Sequence, residues 1–523
     1  MMGIKEVNAV FTKHFLSGEY GHYHISFVSD DESITIQRKK KEEQTLNNPI
    51  LSGEVPTSSY SCPDIESVEK SILFFKINVQ KFKEYNLDIP KRTVTFTYGY
   101  DRIKQPIKNT ASSKRLPSHL SLEDLKNALF HIHGGYVIRD TGSSIAVANR
   151  KYFTIQGFGF DYHPPTATRK ALMEYTERYS SLLDLPDAIT GSYHQLQNKV
   201  AVVNPEKFGL YPSKTPKDKY HLVSYHHDLE IVWVKAHSLV NGECFYVPEQ
   251  MVQYLKPAMK NKYTIESSNG CAIGNCDEEA ALFSILEAYE RDIFFKSWFR
   301  NAQIIEIEDL KGYECQTLFF ATEGFELEFY LLPNEAQIPV VWALIRSNDA
   351  HNQIYSITGL GCHPQLEHAI ESAFHELYNA YLNLTGLKEG TLNTMIREVE
   401  AKERLDSIED HFYLFASYKV KGLLEKKLSN VRREAYADLL KYSFYTEDLQ
   451  KELAYVVKKV KAQYENILLI HQSNSLLSSL SLSCTKVLLV GALPVDFTSD
   501  LVRVTNTLDD EIRWEERNIH PLA

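Results

Sequence analysis

Two copies of one five-residue pattern, Glu-x-x-Glu-Arg, stand in this chain: Glu174-Tyr-Thr-Glu177-Arg178 and Glu287-Ala-Tyr-Glu290-Arg291. At ordinary Glu and Arg usage, roughly one chain in ten of this length holds a single copy by chance, so a pair asks for a cause. Helical spacing puts the two Glu of a copy one turn apart on one face, with the Arg following on the same side. Surface ladders of Glu and Arg use such spacing for a few tenths of a kcal/mol per pair. The flanks argue otherwise. Ala171, Leu172, Tyr175, Tyr179, Leu182 and Leu183 surround the first copy, and Ala288, Tyr289, Ile293, Phe294 and Phe295 crowd the second. Carboxylates on such helices are at least half buried, which is costly unless a cation or hydrogen bonds compensate. A metal–phosphate site supplies that compensation.

The second copy follows a small-residue loop, Ser267-Ser268-Asn269-Gly270-Cys271-Ala272-Ile273-Gly274-Asn275, whose glycines allow close backbone approach to a ligand. Asn275 or Asp277 is expected to cap the helix, whose positive end then offers an anion or nucleotide cradle. Glu279 precedes Glu290 by eleven residues, which at about 100° per residue brings the two within roughly 20° of one face. Asn275, Glu279, Glu287 and Glu290 then line one groove. Hard oxygen ligands of this kind suit Mg²⁺ bridging to phosphates and do not suit zinc.

These residues resemble the YcaO superfamily of ATP-dependent enzymes that modify peptide backbones. The resemblance covers about the last four hundred residues. It rests on the two Glu-x-x-Glu-Arg helices, on the 267–275 loop followed by Glu278-Glu279-Ala280, and on a third helix from Glu367 through Glu376-Leu377 after Gly359-Leu-Gly361. Weaker matches are Ile231-Val-Trp233-Val leading to Val247-Pro248-Glu249, then Glu409-Asp410-His411 followed by Tyr413, and a short tail with His520-Pro521. The last two resemble the azoline-forming cyclodehydratase branch, whose members end in a proline-rich tail near the active site.

The resemblance implies that Glu174, Glu177, Glu287 and Glu290 hold magnesium. It implies that Arg178, Asn275, Glu279, Arg291, Glu376 and Lys170 serve ATP, and that the tail residues His520, Pro521 and Ala523 act in catalysis. The implied reaction is cyclodehydration: a Cys side chain of a ribosomally made precursor peptide, less often Ser or Thr, attacks the preceding backbone carbonyl. ATP phosphorylates the amide oxygen, and phosphate carries that oxygen away. A separate ThiF-like partner that captures the leader peptide is expected, and a flavin-dependent azoline oxidase is compatible. The product class is that of thiazoline-bearing natural products such as bacteriocins. Four positions depart from the family pattern: Phe158 in Gly157-Phe-Gly159 stands for Lys, Lys170 for Ser, Phe283 for Gln and Ser372 for Arg. Two alternatives therefore stay open, an ATP-driven thioamide or amidine formation and a non-catalytic scaffold of a peptide-modifying complex.

The supporting elements read as an α+β fold, with mixed sheets packed by carboxylate-bearing helices and a smaller N-terminal α/β region. The chain divides into an accessory region, 1–115, and a catalytic domain, 116–523, at the polar, proline-punctuated stretch Gln105–Ser118. The accessory region either docks peptide or partner or serves only to stabilise. Tyr23–Phe27 and Thr93–Thr97 alternate as strands about a helix near 65–85. Arg38–Lys41 reads as a solvated turn, and 390–472 as largely helical.

Composition bounds the rest. With 523 residues, 43% hydrophobic and 12% aromatic, the chain can fill more than one core. A formal charge of −11 argues against nucleic acid as main partner. No apolar run approaches a membrane span, and Met1-Met-Gly-Ile-Lys-Glu lacks a signal-peptide core, so a cytoplasmic location is expected, as a homodimer or hetero-complex. Seven scattered cysteines suit a reducing compartment. Cys271 and Cys276 read as packing residues, and the pairs His131/His133 and His226/His227 as structural histidines.

Overall fold

The computed structural model of the chain describes residues 120–522 apart from 131–134, 141–143, 151–154, 162–163, 257–258, 311, 388–389 and 473, together with the backbone of five upstream strands. These are β1 (Tyr23–Ser29), β2 (Ile34–Lys40), β3 (Ser59–Cys62), β4 (Phe82–Asp88) and β5 (Thr93–Tyr98), joined in one antiparallel sheet in the order β3-β2-β1-β5-β4. Period-two alternation thus forms strands where expected. Arg38, Lys39 and Lys40, however, lie inside β2 rather than in a turn, because backbone pairing with β1 holds the chain extended there. The expected 65–85 helix is also overruled from Phe82 onward, where pairing with β5 takes the chain into β4. The rest of that segment, the 105–118 stretch, His131, His133 and Ala523 lie outside the described residues.

Helix α1 (Leu122–Phe130) leads into a three-stranded antiparallel sheet of β6 (Tyr136–Asp140), β7 (Ser144–Asn149) and β8 (Gln156–Phe160), covered by α2 (Pro164–Ser180), the first motif helix. A six-stranded sheet follows, built from β9 (Ile189–Gly191), β10 (Ile231–Ser238), β11 (Cys244–Pro248) and β12 (Cys271–Gly274), with two strands from far downstream. The second motif helix is α3 (Asp277–Arg300). A five-stranded sheet of β13 (Ile304–Glu308), β14 (Phe325–Leu331), β15 (Val340–Ser347), β16 (Ser356–Cys362) and β17 (Val431–Ala435) comes next, and the third helix, α4 (Leu366–Thr385), lies on β16 and β15. The distant strands that complete the six-stranded sheet are β18 (Asn466–His471) and β19 (Ser483–Val490). The 390–472 region is largely helical apart from β17 and β18, and the apolar run Ile467–Ile470 of β18 is taken into the interior of that sheet beside β10.

Helix α3 buries apolar residues around most of its circumference, a pattern that demands packing on more than one side. It lies between the six-stranded sheet, through β19 and β12, and the five-stranded sheet, through β16 and β15. Phe294, Trp298 and Tyr289 fill one core with Trp342 and Tyr330 of the one sheet and Val487 and Leu489 of the other. Its glutamates are thus presented from the middle of the molecule.

Helices α2 and α4 are pressed against their strands by glycine. A Cβ on Gly157 would stand 2.1 Å from the Ala171 carbonyl oxygen, and one on Gly159 2.0 Å from that of Ala167. On the other pair, a Cβ on Gly359 would meet Ala373 O at 2.3 Å and one on Gly361 would meet Ala369 O at 2.1 Å. Every partner in the second set is the first shifted by 202 positions, and each helix follows the last strand of an antiparallel three-strand run. The sequence motif, 113 positions apart, is therefore not the only repeat. A Gly361→Ala substitution is expected to cost about 2–3 kcal/mol by overpacking rigid backbone. Gly422→Ala, in the short helix Lys421–Lys427 with nothing within 4 Å, is expected to be neutral or to gain up to about 1 kcal/mol. Chemical denaturation of the two variants measures both.

Candidate active site

The close strand–helix approach has an electrostatic consequence. It brings the N–H of Phe158, between the first two glycines, to Oε2 of Glu174 at 2.6 Å, and the N–H of Leu360, between the second two, to Oε2 of Glu376 at 2.6 Å. Glu174 also accepts from Arg178 Nη2 at 2.7 Å. On α3, Glu279 accepts from both the backbone N–H (2.5 Å) and the side-chain amide (3.0 Å) of Asn275. The helix end expected to cradle an anion thus already receives one from its own first turn. Neither Asn275 nor Asp277 caps it: Cys276 occupies the N-cap position without a side-chain capping bond, and Asp277 instead accepts from the Ser483 hydroxyl.

These groups converge on a cavity of about 780 Å³ between α2, α3 and α4, within the range of small-molecule sites. Its wall includes Lys170, Glu174, Glu177, Arg178, Asn275, Glu279, Glu287, Arg291, Glu376 and Pro521. Ten of the thirteen candidate residues therefore share one cavity. Glu290 is set back from the wall, beside Glu376, and accepts from the Cys362 N–H. His520 is fully buried behind it, and Ala523 is the residue outside the described set. Lys170 is tied to Asp161 at 2.9 Å and to the Phe160 carbonyl at 3.0 Å. Of the other sequence readings, Cys271 is buried in β12, and His227 pairs with Glu206 at 3.1 Å.

The wall also holds residues the sequence reading passed over. Asn379, Ala380 and Asn383 follow Glu376 at helical spacings of three, four and seven, so the face of α4 was legible once Glu376 was chosen. Ser268 and Glu409 belong to stretches already singled out, whereas Arg169, Ile408, Phe412 and Leu522 carried no such signal, since they reach the cavity only through tertiary folding. Lys486, buried on β19 with its ammonium on the Ser267 carbonyl at 2.7 Å, adds positive potential at Glu287.

Charge in the cavity is unbalanced. Six carboxylates line it, those of Glu174, Glu177, Glu279, Glu287, Glu376 and Glu409, against four cations, Arg169, Lys170, Arg178 and Arg291. Burial raises the Glu287 carboxyl to about 7, with Glu174 and Glu376 adding to the rise against the pull of Arg291 and Lys486. Burial and the neighbouring Glu376 and Glu287 push Glu290 far above the usual carboxylate range. A divalent cation would relieve this repulsion, so the donor set fits one. Among the described residues no three His, Cys, Asp or Glu already form a metal-holding group. Carboxylate and amide oxygens suit Mg²⁺, which keeps waters and substrate phosphates in its shell, and do not suit a zinc cage. Arg178 and Arg291 are guanidinium groups of the wall that could face a phosphate.

Glu287 gives this imbalance a measurable sign. Its carboxyl holds a proton more tightly in the fold than in the unfolded chain, so the stability it contributes is full below about 4.5 and is lost as pH rises through about 7. In ligand-free protein, Glu287→Gln is expected to melt above wild type at pH 8 and level with it at pH 5, a gap on the order of 1 kcal/mol after solvent screening. Mg²⁺–ATP should lower or reverse that gap. A gap constant from pH 5 to 8 in melting curves would rule out charge repulsion as its source.

Residues 157–493 match a protein-family model described as YcaO cyclodehydratase, ATP- and Mg²⁺-binding. Among solved structures, a heterocyclase in complex with substrate and cofactor aligns with a TM-score of 0.59 and 16% identity, over 73% of this chain and 54% of that one. YcaO from Methanopyrus kandleri, bound with AMPPCP and Mg²⁺, aligns with a TM-score of 0.53 and 17% identity, over 71% of this chain and 90% of that one. At these identities the likeness is one of fold. An uncharacterized protein of Methanothermobacter thermautotrophicus is 24% identical over 255 residues, 47% of this chain and 63% of its own length. The matched regions therefore span less than two thirds of both the heterocyclase and this relative.

Proposed function

The chain belongs to the YcaO family, whose cofactors are ATP and Mg²⁺, and from that premise we propose that it is an ATP-dependent peptide cyclodehydratase. Its substrate in this reading is a ribosomally made precursor peptide, whose Cys residues, less often Ser or Thr, become azolines. The observation that carries the reading is the union in one cavity of carboxylates from three helices, two arginines and Pro521. Mg²⁺–ATP, when bound, supplies the phosphoryl group that makes the amide oxygen a leaving group and the charge that neutralises it.

Glu174, Glu177, Glu287 and Glu290 would hold the magnesium. Arg178, Asn275, Glu279, Arg291, Glu376 and Lys170 would serve the nucleotide. Arg178 is already oriented for this, fixed by Glu174 on one side and lying 5.8 Å over the Phe158 ring on the other. That contact supplies a positive charge where the family's Lys is replaced by Phe158. Lys170, by contrast, reaches a phosphate only by leaving Asp161. Met173, Ile408, Phe412, Pro521 and Leu522 form an apolar part of the wall that keeps water from the reacting groups. A ThiF-like partner that presents the leader peptide belongs to the same reading.

The test is mass spectrometry of candidate precursor peptide incubated with this protein, a ThiF-like partner and ATP. A loss of about 18 Da per ring with matching phosphate release is expected. Any other mass change coupled to ATP would favour thioamide or amidine formation. Glu290→Gln should abolish ATP consumption in a protein that still folds, because a neutral amide does not meet the metal's demand for anionic oxygen. Near-normal turnover in that variant would remove Glu290 from the metal site.

A further inference from the structure

The segment Asn518–Leu522 is held from behind the cavity by buried polar contacts. Trp298 Nε1 donates to the Ile519 carbonyl at 2.8 Å. The Asp496 carbonyl accepts from Asn518 Nδ2 at 2.7 Å and from His520 Nε2 at 3.1 Å. His520 therefore carries its proton on Nε2, and its ring stacks on that of His411 with centroids 4.1 Å apart. His411, on helix α5 (Ile408–Ala416), is wholly buried. Its two ring nitrogens both face carbonyl oxygens: Nδ1 that of His520 at 2.9 Å, Nε2 that of Phe497 at 2.7 Å.

A neutral imidazole has one N–H, so it bonds one of these oxygens and leaves the other facing a lone pair. The tautomer with Nδ1–H fixes the segment, and the tautomer with Nε2–H fixes the Phe497 loop instead. We propose that His411 is a positioning residue that holds Pro521 and Leu522 in the wall of the cavity through the bond from its Nδ1 to the His520 carbonyl. The geometry behind it is direct: the carbonyl that His411 holds belongs to the peptide unit leading into Pro521, which has no N–H of its own with which to secure the chain. Burial of both rings excludes water as a substitute donor. This inference rests on the peptide-modifying reading only for its effect on rate. The placement of the segment stands apart from it.

Two substitutions separate the two nitrogens. The amide nitrogen of Asn can occupy the place of Nδ1, and that of Gln the place of Nε2. Amide hydrogen exchange over residues 516–522, followed by mass spectrometry, reads the placement without any reaction. His411→Phe, which keeps the ring and loses both bonds, should raise the exchange rate there at least about tenfold. His411→Asn should restore protection and His411→Gln should not. In the cyclisation assay, His411→Phe and His411→Gln should lower kcat about tenfold, a barrier change of roughly 1.4 kcal/mol, with KM for ATP unchanged, and His411→Asn should recover most of it. Should His411→Phe fail to fold, the Asn and Gln pair carries the comparison alone. Equal protection in Asn and Gln variants, or wild-type exchange in a folded Phe variant, would overturn the proposal. Loss of protection in a protein that modifies no peptide would leave the clamp standing and remove the proposed reaction instead.

Discussion

More carboxylate than cation is packed where α2, α3 and α4 meet, and much of the surrounding architecture keeps that charge in place. A buried carboxylate without partners would take up a proton or pull its helix toward water. Here the helices offer two kinds of compensation. Helices α2 and α4 receive a backbone N–H from a strand that glycines allow to lie close enough, and α3 folds its own first turn back onto Asn275. What these bonds leave uncompensated, chiefly at Glu287 and Glu290, is a standing demand for a cation.

Helix α3 makes that demand structural as well as local. Packed between two sheets, it cannot tilt to expose Glu287 without disturbing Phe294, Trp298 and the residues they touch on both sides. Close-packed interiors resist such movement. The acidic groups are therefore held near one another by the same aromatic packing that stabilises the fold. Repulsion is balanced by burial of apolar surface, so the cavity is preorganised for its ligand before the ligand arrives.

Much of this was legible in the residues, and the gaps have physical reasons. The doubled Glu-x-x-Glu-Arg, the 267–275 loop and Glu376 pointed to faces that meet around one cavity, because helical spacing and an apolar surround are local properties. Glu290, though in phase with Glu279, faces Glu376 and Cys362 rather than the wall, a difference of side-chain direction that spacing alone does not carry. The Phe82 strand and β17 were hidden because strand pairing, with the neighbouring β5 and with the distant β13, outweighed local period. The Gly-x-Gly pairs stood in plain view. Their shift of 202 positions went unseen since its meaning lies in contacts with alanines eight and fourteen residues on rather than in any run of similar residues. The buried histidine pair was hidden for a like reason, as His411 and His520 meet only across 109 positions.

The bonds from Phe158 and Leu360 act as rulers. Each spans the gap between a strand and a helix already in backbone contact, and the side chain that closes it is a glutamate of fixed length. Aspartate at 174 or 376 would carry the same charge and stop about one methylene short. The amide would then lose the partner that ties its strand to the helix. In descendants of this sequence, then, reach should be inherited more strictly than acidity at these two positions. Each glycine pair and its glutamate would drift together or not at all.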